Sequence, residues 1–206
     1  MVQIARMKGL EGICVTDHDS MGLKEYAAEY SKDTGFPIFV GIEYYSLQGD
    51  IVAFGIEDYS TERIPAQDFI DLVNAQGGVC FAAHPFRNNN RGLEENLRKV
   101  KGLHGLEVLN GSTSVEACQK AARYALELGL FTLGSSDCHV PEKVGVCATY
   151  FPERFHTMEG FLDAFRKGQM KPAYYAGGKY HVLELKEQQK SKIPFTFYAF
   201  NDRMYL

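Results

Sequence analysis

The sequence predicts an α/β domain in which helices cover a sheet of buried, parallel strands. Short and nearly continuous apolar runs alternate with amphipathic segments along most of the 206 residues. Strands that are apolar on both faces are typical of parallel sheets covered by helices. The same strands tend to end in carboxylate or imidazole side chains. Two architectures stay open from this pattern alone, a doubly wound sheet and a (β/α) barrel.

The first half of the chain carries three predicted strands, two complete helices and the last turns of another. Residues 2–7 resemble the last turns of a helix, which Gly9 ends. A second helix stops at Gly35, and a third starts at Pro65, where a missing N–H costs little in the first turn. The helices are predicted at 21–34 and 65–76, and the strands at 12–16, 37–43 and 51–56, the last as a hairpin-like partner or a neighbour of the second.

The second half continues the alternation with strands at 79–83, 105–109 and 131–134 and helices at 93–100, 114–128 and 158–167. The composition changes near the end, where residues 184–192 are mostly polar and an aromatic cluster follows at Phe195, Phe197, Tyr198 and Phe200. We therefore predict a main domain at 1–176 and a C-terminal appendage at 177–206.

Composition narrows the class of partner. A formal net charge of −4 supplies no basic field for a phosphate backbone, so nucleic acid is disfavoured as a partner. A small phosphorylated substrate stays compatible, because a bound metal ion can invert the local charge. No apolar stretch approaches the ~18–20 residues of a membrane span, and five cysteines without a C-x-x-C pair favour a reducing compartment. We predict a cytoplasmic protein with no membrane partner.

Metal-competent side chains follow five separate predicted strands at their carboxyl ends. They are Asp17, His18 and Asp19 after the first, Glu43 in the second, His84 after the fourth, Glu107 and Asn110 in the fifth, and Asp137 and His139 after the sixth. Parallel α/β architectures place their functional face at this edge. Taken singly, each residue has a plainer explanation, such as Asp19 capping the helix at 21–34. Their convergence on one edge carries the inference.

Imidazole and carboxylate groups without cysteine suit Zn, Mn or Fe. Ions a few ångströms apart clamp a phosphate and activate water. Cys138 lies between two candidate ligands and is interpreted as packing, since adjacent side chains diverge.

Five motifs resemble those of the PHP superfamily (polymerase and histidinol-phosphatase type). Residues 9–19 resemble the second motif of that family, Glu43 its bridging glutamate, residues 83–87 its third motif, and residues 105–111 and 134–139 its last two. Order and spacing agree from about residue 5 to residue 150. Each motif is short, but the ordered set is specific.

The resemblance implies a distorted (β/α)7 TIM-like barrel that binds up to three divalent ions. Glu43 would bridge two ions, with His84 on one and Asp137 on the other, and His18 and His139 would share the third. Asp17 would orient a ligand in the catalytic centre. The implied activity is metal-dependent hydrolysis of a small phosphomonoester or phosphodiester by metal-activated water.

Arg87 follows the third motif, and two interpretations stay open for it. It is either a catalytic residue that pairs with the substrate phosphate or a solvated loop arginine.

The sequence also departs from the family. The His-x-His of the first strand is absent, and we expect that the chain starts at an internal methionine of a longer gene product. Asp50 stands where relatives often have histidine, and Glu107 and Asn110 are the polar groups left for the second ion, as weak or supporting ligands. The alternative function is therefore an inactive PHP-like scaffold or partner-binding domain with an incomplete metal site.

Overall fold

The computed structural model describes residues 1–185, 195–198 and 204–205, the last two stretches as backbone strands. The fold is mixed α/β. Its helices are α1 (Val2–Met7), α2 (Lys24–Thr34), α3 (Ala66–Ala75), α4 (Val115–Leu128) and α5 (Met158–Arg166). Its strands are β1 (Leu10–His18), β2 (Ile38–Tyr45), β3 (Asp50–Phe54), β4 (Val79–Ala82), β5 (Gly105–Asn110), β6 (Phe131–Ser135), β7 (Cys147–Tyr150), β8 (Lys171–Ala176), β9 (Lys179–Leu185), β10 (Phe195–Tyr198) and β11 (Met204–Tyr205).

Five of the first six strands point the same way, as their apolar composition predicts. β1 pairs with β2 in parallel, and β4, β5 and β6 form a second parallel run. β3 lies between the two runs and is antiparallel to both β2 and β4. The interpretation of residues 51–56 as a hairpin partner is therefore confirmed. All five parallel strands present their carboxyl ends at one edge, which we call the rim.

The sheet curls until β6 meets β7. Thr149 on β7 donates its hydroxyl to the Gly134 carbonyl at 2.7 Å and accepts the Gly134 N–H at 3.1 Å. Among the described residues, β11 is the strand that lies between β7 and β1, and it pairs with β1 at Leu10 and Gly12. The result is a curled half-barrel, and a closed (β/α)7 barrel is not confirmed. The strict alternation of strand and helix that such a barrel needs is broken by the β2–β3 connection, which contains no helix.

We call the end of the sheet opposite the rim the base. Helix α5 covers this end. Phe161 on α5 stacks on Phe39 with ring centroids 5.1 Å apart and meets the edge of Phe54 at 5.0 Å. Phe165, one turn further on, stacks on Phe81 at 5.9 Å. These rings are almost fully buried, so the base is closed by an aromatic core.

Local signals predicted the ends of the larger helices well. Gly35 and Gly129 both adopt the left-handed conformation directly after α2 and α4. Ser114 caps α4 by accepting the Ala117 N–H at 3.3 Å.

Other expectations were wrong. The helix predicted at 93–100 is a short 3-10 turn, Glu94–Arg98, because Glu94 has a positive φ and its N–H bonds to the Pro85 carbonyl outside any helix. Strands β7 and β8 were missed.

The predicted boundary at 176/177 stays a prediction. It coincides with the turn at Gly177 and Gly178 that joins β8 to β9 in the same sheet. Phe200 and residues 186–194 of the predicted appendage lie outside the described residues. Within the part of the chain that the structure describes, no helix has the length and apolar character needed to cross a membrane.

Candidate metal centre

Glu43 on β2 bonds to two histidines, one at the end of β1 and one in the loop directly after β4. Its Oε1 lies 2.9 Å from His84 Nε2, and its Oε2 lies 3.0 Å from His18 Nδ1. The parallel pairing of β1 with β2 brings His18 directly opposite Glu43. Each carboxylate oxygen of Glu43 thus contacts a different imidazole, which is the arrangement that a bridging ligand needs.

Asp50 completes a compact group with Glu43 and His84. It begins β3, is fully buried, and has Oδ2 3.7 Å from His84 Nε2. Ligand atoms of these three residues all lie within 4.8 Å of one another, and no other such group occurs among the described residues. Burial raises the pKa of Asp50, although the hydrogen bond from Arg91 opposes the shift.

Glu107 accepts hydrogen bonds from the His84 backbone and from two neighbouring side chains. Its Oε2 accepts the His84 backbone N–H at 2.7 Å and an Asn110 side-chain N–H at 3.0 Å, and its Oε1 accepts the Ser135 hydroxyl. Burial raises the pKa of Glu107, and these partners together with His84 partly offset that rise. Glu107 and Asn110 are therefore engaged in hydrogen bonds next to the Glu43 group.

Asp137 lies on the far side of the rim, paired with Arg87. The Arg87 guanidinium donates to Asp137 and, at 2.6 Å, to Asn110 Oδ1, while its Nε reaches Thr113 Oγ1 at 3.1 Å. Burial would raise the pKa of Asp137, but the bonds and charge of Arg87 outweigh it, so the pKa is lowered. Arg87 is thus a structured rim residue, contrary to the solvated-loop interpretation.

His139 and Asp17 occupy the exposed part of the rim. His139 Nδ1 is 3.5 Å from Asp137 Oδ1, and its ring centroid is 6.1 Å from that of His18. Asp17 is exposed and lines the same cavity as the other rim residues. Asp19 does not cap α2. Its Oδ1 instead accepts the Tyr45 N–H at 2.9 Å.

All the residues singled out from the sequence thus lie at one rim, but at different distances. Glu43, His84, His18 and Asp50 form the tight part. Asp137 and His139 form a second pair linked to it through Arg87, Asn110 and Glu107. Their individual roles as ligands or catalytic groups stay predictions.

The donor set fits a divalent ion. Burial lowers the pKa of His84, yet the hydrogen bond to Glu43 and the charge of Glu107 outweigh it and raise the pKa, so the imidazole lies in a field that attracts cations. His84 Nδ1 is also a buried polar atom without a hydrogen-bond partner in the described structure. Carboxylates and imidazole are ligands shared by Zn, Mn and Fe.

A cavity of about 470 Å³ opens beside these residues. Its wall on the rim side is polar and includes Glu43, His84, Asp137 and His139. Its wall on the base side is apolar and is formed by side chains such as Phe54, Phe81 and Phe161.

Sequence reasoning missed Arg91 and Tyr45. Arg91 bonds both oxygens of Asp50, and its guanidinium lies 4.2 Å from the Tyr45 ring centroid. The asparagine- and arginine-rich composition of residues 87–91 was the one available signal.

Comparisons with known proteins agree with this picture. A family model described as PHP-associated matches residues 115–170. An uncharacterised protein of Methanocaldococcus jannaschii is 24% identical over 110 residues, which are 53% of this chain and 64% of that protein. The chain therefore spans somewhat less than two thirds of the curated relative it matches.

Three solved structures share the fold. A protein from Bifidobacterium adolescentis, described as a metal-dependent phosphoesterase, has a TM-score of 0.58 and 19% identity, covering 68% of this chain and 81% of that one. An amidohydrolase from Chromobacterium violaceum, with bound sulfate and no metal, has a TM-score of 0.59 and 19% identity over 80% and 89% of the two chains. A lesion-specific endonuclease from Pyrococcus furiosus has a TM-score of 0.60 and 15% identity over 83% of this chain and 51% of its own.

At these identities, the structural likeness by itself establishes the fold alone. Together, the family match, the ordered motifs and the shared fold support the assignment of this chain to the PHP superfamily.

Proposed function

We propose that this protein is a metal-dependent phosphoesterase that hydrolyses a small phosphomonoester or phosphodiester. The observation that carries the proposal is the placement of Glu43 between two imidazoles at the carboxyl ends of parallel strands, with Asp50 alongside at the start of the antiparallel strand β3. Hydrolases among the structural neighbours, one a phosphoesterase and one an endonuclease by description, support the reaction class.

Glu43, Asp50 and His84 would hold one divalent ion, and Glu43 and Asp137 would hold a second. His18 and His139 would share a third. Zn, Mn and Fe all suit these donors. A bound ion would supply water activation and neutralisation of phosphate charge.

The chain's own residues would orient the substrate. The Arg87 guanidinium already binds oxygen acceptors at the rim, so it is placed to bind phosphate oxygens. The exposed Asp17 and His139 would face the entering ester. A distorted (β/α)7 barrel, a cytoplasmic location and a small phosphorylated substrate rather than nucleic acid belong to the same proposal.

Hydrolysis of p-nitrophenyl phosphate with added Mn²⁺ or Zn²⁺ tests the proposal. Wild-type protein should turn over the ester only with metal. His84→Ala should lose about 1,000-fold or more of that rate, because the metal contributes several kcal/mol of transition-state stabilisation. His156→Ala is the matched control, since His156 is an exposed histidine outside the rim. Equal rates for wild type and His84→Ala would exclude this site.

The scaffold alternative makes a different prediction. A partner-binding domain without a working centre should bind no metal, whereas the phosphoesterase should retain at least one ion per chain. Elemental analysis of the purified protein after dialysis against Mn²⁺ separates the two. The compact Glu43–Asp50–His84 group favours the enzyme.

A further inference from the structure

Three hydrogen bonds join Arg91 to Asp50, although the two residues are 41 positions apart in the chain. Its Nε donates to Asp50 Oδ2 at 2.7 Å and its second guanidinium nitrogen to Oδ1 at 2.8 Å. The Asp50 backbone N–H donates in turn to the Arg91 carbonyl at 2.6 Å. A fully buried carboxylate must be paired and hydrogen-bonded to be tolerated, and Arg91 meets both needs.

These hydrogen bonds leave lone pairs of the Asp50 carboxylate available to bind a metal ion. A bidentate guanidinium uses one lone pair on each carboxylate oxygen, and an ionised carboxylate has about four such sites. Oδ2 also lies 3.7 Å from His84 Nε2, too far for a hydrogen bond. Arg91 therefore fixes the orientation of the carboxylate without closing the space between Asp50 and His84.

Arg91 is itself held in place on both its backbone and its side chain. Its guanidinium lies over the Tyr45 ring at 4.2 Å, and that of Arg63 lies over the same ring at 3.9 Å. A Cβ added to Gly49 would come within 2.6 Å of the Gly92 backbone, so the two chain segments touch directly. With its side chain 30% exposed, Arg91 is anchored at the border between the buried group and solvent.

We propose that Arg91 is a positioning residue of the metal centre, which strengthens binding of a divalent cation by holding the Asp50 carboxylate beside Glu43 and His84. The inference rests on the proposed function to the extent that it takes this group as the metal site. The opposing idea is that the guanidinium charge competes with the cation. The two ideas predict opposite signs, since removing a positioning residue weakens metal binding and removing a competitor tightens it.

Isothermal titration calorimetry, in which Mn²⁺ is added to the metal-free protein, distinguishes the positioning role from the competing charge. Arg91→Ala should bind Mn²⁺ about 10–100-fold more weakly than wild type, the usual loss when a partner of a metal ligand is removed. Arg91→Lys should fall between the two, because lysine keeps the charge but cannot form two parallel bonds. Arg98→Ala is the control, as Arg98 pairs with Glu95 and Glu127 outside the rim, and it should bind like wild type.

Unchanged or tighter binding by folded Arg91→Ala would overturn the inference while leaving the proposed function intact. A purely structural arginine would lower the melting temperature of the metal-free protein and leave the Mn²⁺ dissociation constant unchanged. If Arg91→Ala fails to fold, Arg91→Lys decides by the same criterion, and a wild-type dissociation constant for it would overturn the inference. Absence of Mn²⁺ binding by wild-type protein would instead refute the proposed metal centre itself.

Discussion

At the rim His84 lies among carboxylates, whereas at the base His104 lies against the Phe165 ring at 6.3 Å. Burial lowers the pKa of His84, but Glu43 and Glu107 reverse the shift and raise it. Burial and then the charge of Arg166 lower the pKa of His104, whose Nδ1 accepts the Cys80 N–H. The same side chain thus attracts a cation at one end of the sheet and stays a neutral acceptor at the other.

The difference separates two tasks within one curled sheet. The rim holds buried charges that require partners, and such groups contribute little net stability. The base holds closely packed aromatic rings, whose burial is the main stabilising contribution. We expect substitutions at the base to change the free energy of unfolding and substitutions at the rim to change metal binding.

The largest expected effect at the base follows from Phe161→Ala. Phe161 is almost fully buried and packs on the rings of Phe39 and Phe54. Its truncation should lower the free energy of unfolding by about 3–5 kcal/mol, measured by urea denaturation. The affinity for Mn²⁺ of the folded variant should not change. A parallel loss of metal affinity would break the division between base and rim.

A smaller effect is expected for His104→Ala. The substitution removes the acceptor of the Cys80 N–H, a bond of 3.3 Å, and the contact with Phe165. The cost should be about 1–2 kcal/mol of stability, again from urea denaturation. Phosphoesterase activity measured at a temperature where the variant is folded should match that of wild type. A loss of activity comparable with that of His84→Ala would contradict the assignment of His104 to structure.

The smallest effect is a pair of opposite pH dependences in the metal-free protein. Because the folded-state pKa of His84 is raised, its stabilising contribution is complete below pH 6.5 and is lost as the pH rises through that pKa. The pKa of His104 is lowered, so its contribution is complete above pH 6.5 and is lost as the pH falls through that pKa.

Unfolding free energies between pH 5 and 8 check this contrast. His84→Gln should flatten the profile above pH 6.5, and His104→Gln should flatten it below. Two variants that flatten the same side of the profile would show that the two ends of the sheet do not differ in this way.

Much of the architecture could be predicted because its signals are local. Apolar runs predicted the parallel strands, and glycines predicted the ends of α2 and α4. Convergence of the polar strand ends followed from strand direction alone, since parallel strands share one edge.

Features that depend on distant parts of the chain could not be predicted. The Arg91–Asp50 pair joins the loop after β4 to the neighbouring strand β3, 41 positions earlier in the chain, and nothing in either segment indicates the other. Leu93 and Leu97 have helical spacing, yet the positive φ of Glu94 prevents an α-helix there. β7 is four residues long and follows directly on loop residues, so its apolar pattern is too short to recognise.

Three rim residues, Asp19, His84 and Asp137, adopt positive φ angles of 50°, 26° and 46°. Such a backbone costs a residue other than glycine about 1–3 kcal/mol. Directed evolution for thermostability alone should therefore enrich glycine or asparagine at these positions. The variants that survive heat best in such a library would be those in which the proposed metal-binding edge has been lost.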